Sequence, residues 1–223
     1  MSLIGLHIYI AFKIKSLLPN KDYFFISLLI GLTLPEIETN IILLRNLLLS
    51  TDNIIPLFNK NFTHSFLTIS IIYLFFLIAY EIKKNKLILN IGKGITYGMI
   101  SNIIFDLILR FGDIDVFWPL PIGTIKSIEY QPVFYFVLLA LEFILFRLAA
   151  TELIKIILNN PLIENGNLIN HLSYSMKFNL IFFVLFSLSF IYIPSINIKL
   201  FALFYPLSYT ANIFFLLRVK NNI

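Results

Sequence analysis

The chain has 223 residues, of which 59% are hydrophobic and only 13% charged, and its mean hydropathy is +0.89. That leaves too little polar surface to coat a water-soluble globule, so the composition points to an integral membrane protein. The formal charge of +5 does not require nucleic acid as a partner, because the lysines and arginines fall mostly in short connections between apolar runs; the lack of cysteine excludes disulfides, thiolate metal sites and a cysteine nucleophile.

Residues Met1–Phe12 make a short apolar start that lacks the basic leader and small-residue cleavage site of a signal peptide. It is too short to cross ~30 Å of hydrocarbon, which predicts a retained, partly inserted helix. Tyr23–Leu34 is also short and stops at Pro35, which disfavours helix in the residue before it. The two together predict a shallow, half-spanning or re-entrant hairpin. Longer helices are expected at Phe66–Tyr80, Ile95–Phe111, Val133–Leu158, Phe178–Ile193 and Leu200–Leu217. Asn159–Lys177 contains Asn-Asn-Pro and Asn-Gly-Asn and reads as turns in a cytoplasmic connection. The expected fold is an all-α, polytopic transmembrane helical bundle of about five to six membrane segments, with short or broken N-terminal helices. A membrane domain over 1–158, a connection over 159–177 and a closing helix pair over 178–223 would make it up, as one domain plus an anchor.

Charge orients these segments. With the Lys83–Lys93 connection inside, alternation places 12 of the 17 basic residues on the cytoplasmic side. The same assignment puts Glu36, Glu38, Asp52, Asp106, Asp113, Asp115 and Glu129 outside, so that acidic groups and His64 converge on the outer face. Lys83, Lys84 and Lys86 then read as a topological anchor that also meets anionic lipid, and nucleic acid is not an expected partner.

Rare polar residues beside the apolar runs are the functional candidates, because carboxylates and imidazoles are expensive in or near lipid. Glu36 and Glu38 follow Pro35 two apart; in an extended segment both would point to one side, as a cation clamp needs, or they are solvated interfacial charges. Thr63-His64-Ser65 precedes the Phe66 helix, where Thr63 or Ser65 can cap free N–H groups while His64 faces inward. Asn102 and Asp106 lie four apart on one helix face and can present two ligands to one ion; the plainer reading is an Asp106–Arg110 ion pair. Trp118 in Phe117-Trp118-Pro119 reads as an interfacial anchor or a pocket wall. His7, within an apolar segment, is a site candidate, whereas His171 in the turn-rich connection reads as solvated.

The order of these elements resembles the YdjM-like inner-membrane metal-dependent hydrolases over roughly residues 1–125. That family carries a histidine near the N-terminus, an apolar helix ending in Pro-Asp-x-Asp, a His-Arg-Gly-x-Thr-His-Ser stretch, a His-x-x-x-Asp helix and a Trp-Pro turn. Here they read His7, Pro35-Glu36-Ile37-Glu38, Asn59-Lys60-Asn61-Phe62-Thr63-His64-Ser65, Asn102-Ile103-Ile104-Phe105-Asp106 and Trp118-Pro119. Both aspartates of the first motif are glutamates here, which moves the oxygens ~1.5 Å outward along one methylene. Two family histidines are Asn59 and Asn102, and the motif arginine is Lys60.

The resemblance implies a membrane-bound hydrolase in a bacterial inner membrane. Its substrate would be a phosphoester or lipid-linked compound, because the motif order is similar to that of zinc-dependent phospholipase C and single-strand-specific nucleases. His7, Glu36, Glu38, His64 and Asp106 would hold a divalent metal, zinc by the resemblance, with magnesium or manganese suited to the oxygen-rich set. His64 and Asp106 would be catalytic; Lys60, Thr63, Ser65, Asn102 and Trp118 would line the site or hold its ligands. Two other classes fit the same residues: a catalytically inactive structural or partner-binding membrane protein, and a small ion transporter.

Overall fold

The structure is a computed structural model and describes residues 3–19, 21–49, 61–109, 113–120, 122–126, 132–159, 166–192 and 194–218. Among these residues it is helical almost throughout, as the all-α expectation requires. The helices are α1 (Ile4–Lys13), α2 (Phe24–Thr33), α3 (Glu36–Leu49), α4 (Phe66–Lys83), α5 (Lys86–Leu109), α6 (Pro132–Leu158), α7 (Gly166–Tyr192) and α8 (Pro194–Arg218). A hairpin of β1 (Ile114–Asp115) and β2 (Thr124–Ile125) pairs antiparallel, with Ile114 opposite Ile125. The exposed Lys126 ammonium pairs with Asp113 at 2.9 Å across that hairpin, and this hydrogen bond raises the lysine pKa.

Among the described residues, five stretches are long and apolar enough to cross a membrane: Phe24–Arg45, Phe66–Lys83, Lys86–Leu109, Gly166–Tyr192 and Lys199–Arg218. The chain is an integral membrane protein by composition and by these helices. The expected Val133–Leu158 span is the long helix α6, 27 residues of mostly apolar sequence.

The chain forms two compact units. One gathers α2, the start of α3, α4, α5 and the β-hairpin. Its tightest contact is α2 against α5, made possible by glycine: a Cβ on Gly98 would lie 2.2 Å from the Leu28 carbonyl oxygen, and one on Gly31 2.2 Å from that of Ile95. Small residues at such spacing let two backbones touch. Ile69, Ile95, Met99 and Ile103 form an apolar core between α4 and α5. Only Lys84 and Asn85 connect those two helices. Lys84 adopts the left-handed conformation (φ 50°) that ends α4, and the Asn85 side chain accepts from the Leu87 N–H at 2.9 Å to start α5.

The other unit contains α1, α6, α7 and α8. Gly5 lets α1 lie close against α6, and the buried Glu142 carboxylate accepts from the Gly5 N–H at 2.8 Å, stabilising the positive end of α1. At the other end of α1, Lys13 meets Glu152 at 2.8 Å. Rings of Phe143, Phe186, Phe201 and Tyr205 interlock where α6, α7 and α8 meet.

Three sequence expectations need correction. α1 and α2 do not form a shallow hairpin, since α1 packs on α6 and α2 on α5; the break at Pro35 is real, yet α3 resumes at once and the apolar stretch runs on to Arg45. Helix α7 begins at Gly166, so half of the expected connection is helical, Gly166 serving as its first residue rather than as a turn. Finally, the long α6 belongs with the closing helices, because its aromatic face is matched by theirs, so the boundary falls before α6 rather than after it.

Candidate metal centre

Pro35 has no N–H to give and ends α2, so the chain must restart as α3. The restart is the local event that builds the site. Asn102 on α5 donates from its side-chain amide to the Leu32 carbonyl at 2.8 Å, satisfying an acceptor near the break. One turn further along the same face of α5 stands Asp106, the fourth residue in a stripe of Gly94, Gly98, Asn102 and Asp106 that lies along α2. Glu36 sits in the first turn of α3, where the helix dipole favours a carboxylate.

His64 enters from the third side. It ends a one-turn 3-10 helix, Phe62–His64, just before α4. That turn is heavily braced. Ser65 caps α4 by accepting from the Thr68 N–H at 3.1 Å, and the Thr68 hydroxyl donates to the Phe62 carbonyl at 2.6 Å. The Phe66 N–H donates to the Val116 carbonyl at 2.9 Å, and the Trp118 ring meets Phe62 edge-on with centroids 5.3 Å apart. Trp118 therefore packs on the turn that carries His64.

Glu36, His64 and Asp106 each present one donor atom within 4.8 Å of the other two. All three are fully buried, with 0% exposure. His64 Nε2 lies 3.0 Å from Asp106 Oδ2 and 3.6 Å from Glu36 Oε1. Donor atoms around one cation with ~2.0–2.2 Å bonds stand about 3 to 3.5 Å apart, so the two separations from His64 are at or slightly beyond coordinating distance. Two carboxylates and one imidazole fit zinc or manganese on donor type.

The other face of His64 sets its protonation pattern. Thr63 Oγ1 lies 2.7 Å from the Pro35 carbonyl, 2.7 Å from Glu38 Oε2 and 3.1 Å from His64 Nδ1. A hydroxyl has one hydrogen, and the carbonyl and the ionised carboxylate only accept. The hydroxyl hydrogen is thus used on them, and Nδ1–H must donate to Thr63. Nε2 is left facing two carboxylates, an arrangement that repels unless a proton, on the imidazole or on a carboxyl group, or a metal cation lies between them.

Sequence reasoning located this trio but not every role. Glu36 and Glu38 are not a same-side clamp in an extended segment, because both lie in the first turn of α3, where residues two apart point away from each other. Glu36 turns inward, while the half-buried Glu38 accepts from the Thr63 N–H at 3.3 Å and from its hydroxyl. Asn102 braces the Leu32 carbonyl with its amide nitrogen, and Ser65 is a helix cap. His7 is buried in α1, in the other unit, and is not part of the trio. Asn59, Lys60 and Arg110 lie outside the described residues, and with Arg110 goes the expected ion pair to Asp106. His171 is on α7 and exposed. One contributor went unnoticed, Thr68, signalled by its three-residue spacing from Ser65; so did Glu142 in the other unit, a lone carboxylate within an apolar run.

In comparisons with protein-family models, curated proteins and solved structures, no match to this chain is found.

Proposed function

We propose that the chain is a metal-dependent hydrolase of a bacterial inner membrane, acting on a phosphoester or lipid-linked substrate near the outer face. The convergence of Glu36, His64 and Asp106 within 4.8 Å carries this reading. These three residues would hold the cation, zinc first. When bound, such an ion supplies Lewis acidity toward a phosphoryl oxygen and lowers the pKa of a coordinated water to near neutrality. The chain's own residues orient the site: Thr63 fixes the His64 ring with Nε2 turned to the carboxylates, Glu38 holds Thr63, and Asn102 holds the helix break from which Glu36 emerges.

The test is metal analysis of the detergent-purified chain beside hydrolysis of a chromogenic phosphodiester. The expectation is about one divalent ion per chain, lost in Glu36→Ala and His64→Ala together with activity. Metal at background in the unmutated protein ends the enzyme reading and leaves a buried imidazole held between two carboxyl groups.

The complete burial of all three donors favours a second reading, a catalytically inactive membrane protein in which the trio braces the fold or a partner-binding surface. Bound metal whose removal lowers thermal stability, without hydrolysis of any phosphoester, would select it.

A further inference from the structure

A second polar feature lies in the unit that does not carry Glu36, His64 and Asp106. Helices α7 and α8 enclose a groove of about 910 Å³, open on one side. Asn167, His171, Ser175 and Asn179 line it from α7, each four residues after the last. At 1.5 Å per residue they descend about 6 Å per step, some 18 Å in all. The polar zone of a bilayer leaflet is only about 5 to 8 Å deep, so the ladder continues well into the depth of the acyl chains.

Polar side chains at that depth are costly and need partners. At the foot of the ladder Asn179 is 1% exposed; its Oδ1 accepts from the Ser208 hydroxyl at 2.7 Å, but its Nδ2 has no hydrogen-bond partner among the described residues. A buried amide N–H₂ lining a groove calls for an acceptor from whatever fills that groove. At the head, Arg218 ends α8, exposed and held over the Phe214 ring at 5.2 Å, beside the exposed His171 and the N-terminal turn of α7. All three favour an anion. Between head and foot the walls are largely aromatic, including Phe178, Phe182 and Phe215.

We infer that this groove binds one anionic diacyl glycerophospholipid, with its phosphate at Arg218, whose guanidinium lies back over Phe214, and an ester carbonyl accepting from Asn179 Nδ2. The charge at the mouth selects the anionic head group. The amide at the foot selects an ester, and the aromatic walls take the chains.

Native mass spectrometry of the full chain in mild detergent, titrated with phosphatidylglycerol or phosphatidylcholine, tests the assignment. One phosphatidylglycerol should be retained in preference to phosphatidylcholine. Arg218→Ala should weaken that preference about fivefold, the effect of one interfacial charge. Ala211→Trp, which fills the groove, should abolish retention, and Asn179→Leu should weaken both lipids. Lys177→Ala removes a cation of α7 that does not line the groove, and should change nothing. Equal retention of the two lipids, or equal loss in Lys177→Ala and Arg218→Ala, overturns the inference. So does undiminished binding in Ala211→Trp. Because Arg218 and Lys177 are exposed, a folding defect does not obscure their comparison.

Discussion

At the scale of the residue, Thr63 has the most specific task, because one hydroxyl links the Pro35 carbonyl, the Glu38 carboxylate and His64 Nδ1. Thr63→Val keeps the shape and removes the oxygen, leaving Nδ1 of a buried imidazole without its acceptor. Groups that orient metal-bound histidines are typically worth 10- to 100-fold in metal affinity. Competition titration with a zinc chelator should therefore show a loss of about that size for Thr63→Val and near-normal affinity for Thr63→Ser. Equal affinity in all three proteins would remove Thr63 from the site. Ser65→Ala, by contrast, should cost about 1 kcal/mol of unfolding stability through the lost helix cap. The residue types of the site were legible because carboxylates and imidazoles are rare in such an apolar sequence. Their division of labour was not: it depends on whether Glu36 and Glu38 stand in a strand-like or a helical segment, and a proline just ahead of them is compatible with either.

At the scale of the element, the contact between α2 and α5 positions Asp106 relative to the helix break. Its glycines leave no room for a methyl group, since the atoms it would strike are backbone carbonyls rather than side-chain ends that can swing away. Gly98→Ala should destabilise the protein by about 1 to 3 kcal/mol, read as a drop in Tm in detergent, and should loosen zinc affinity along with it. Gly166→Ala is the control: nothing lies within 4 Å of the added carbon, and the substitution is expected to be neutral or to stabilise slightly, by roughly 0.4 to 1 kcal/mol. A Tm for Gly98→Ala equal to that of the parent would contradict the tight packing. Helix positions were readable from apolar run length, yet partner choice was not. Nothing in the pattern of Met1–Phe12 distinguishes docking on α2 from docking on α6; the deciding features are Gly5 and a carboxylate, Glu142, far along the chain.

At the scale of the whole molecule, the distribution of basic residues predicts which side faces the cytoplasm. Because the chain contains no cysteine, a single introduced thiol reports its location without background. Glu81→Cys, beside the α4–α5 turn, should react with a membrane-impermeant maleimide only after permeabilisation, and Ile122→Cys, in the β-hairpin region, should react in intact cells. Both side chains are exposed, so accessibility to the reagent is governed by the membrane alone. Reversed labelling would invert the topology. The membrane class followed from composition, whereas the grouping of α6 with α7 and α8 rests on aromatic faces that meet only once the chain is folded.

Such a reversal would still leave two of the three donors together. A link of just two residues cannot hold the arms of the α4–α5 pair on separate routes, so they must traverse the lipid as a single loop-tipped element. His64 precedes one arm and Asp106 ends the other, both remote from the tip. Whichever way the protein is threaded, these two ligands emerge in the same compartment, and only the partner that brings Glu36 has to find them.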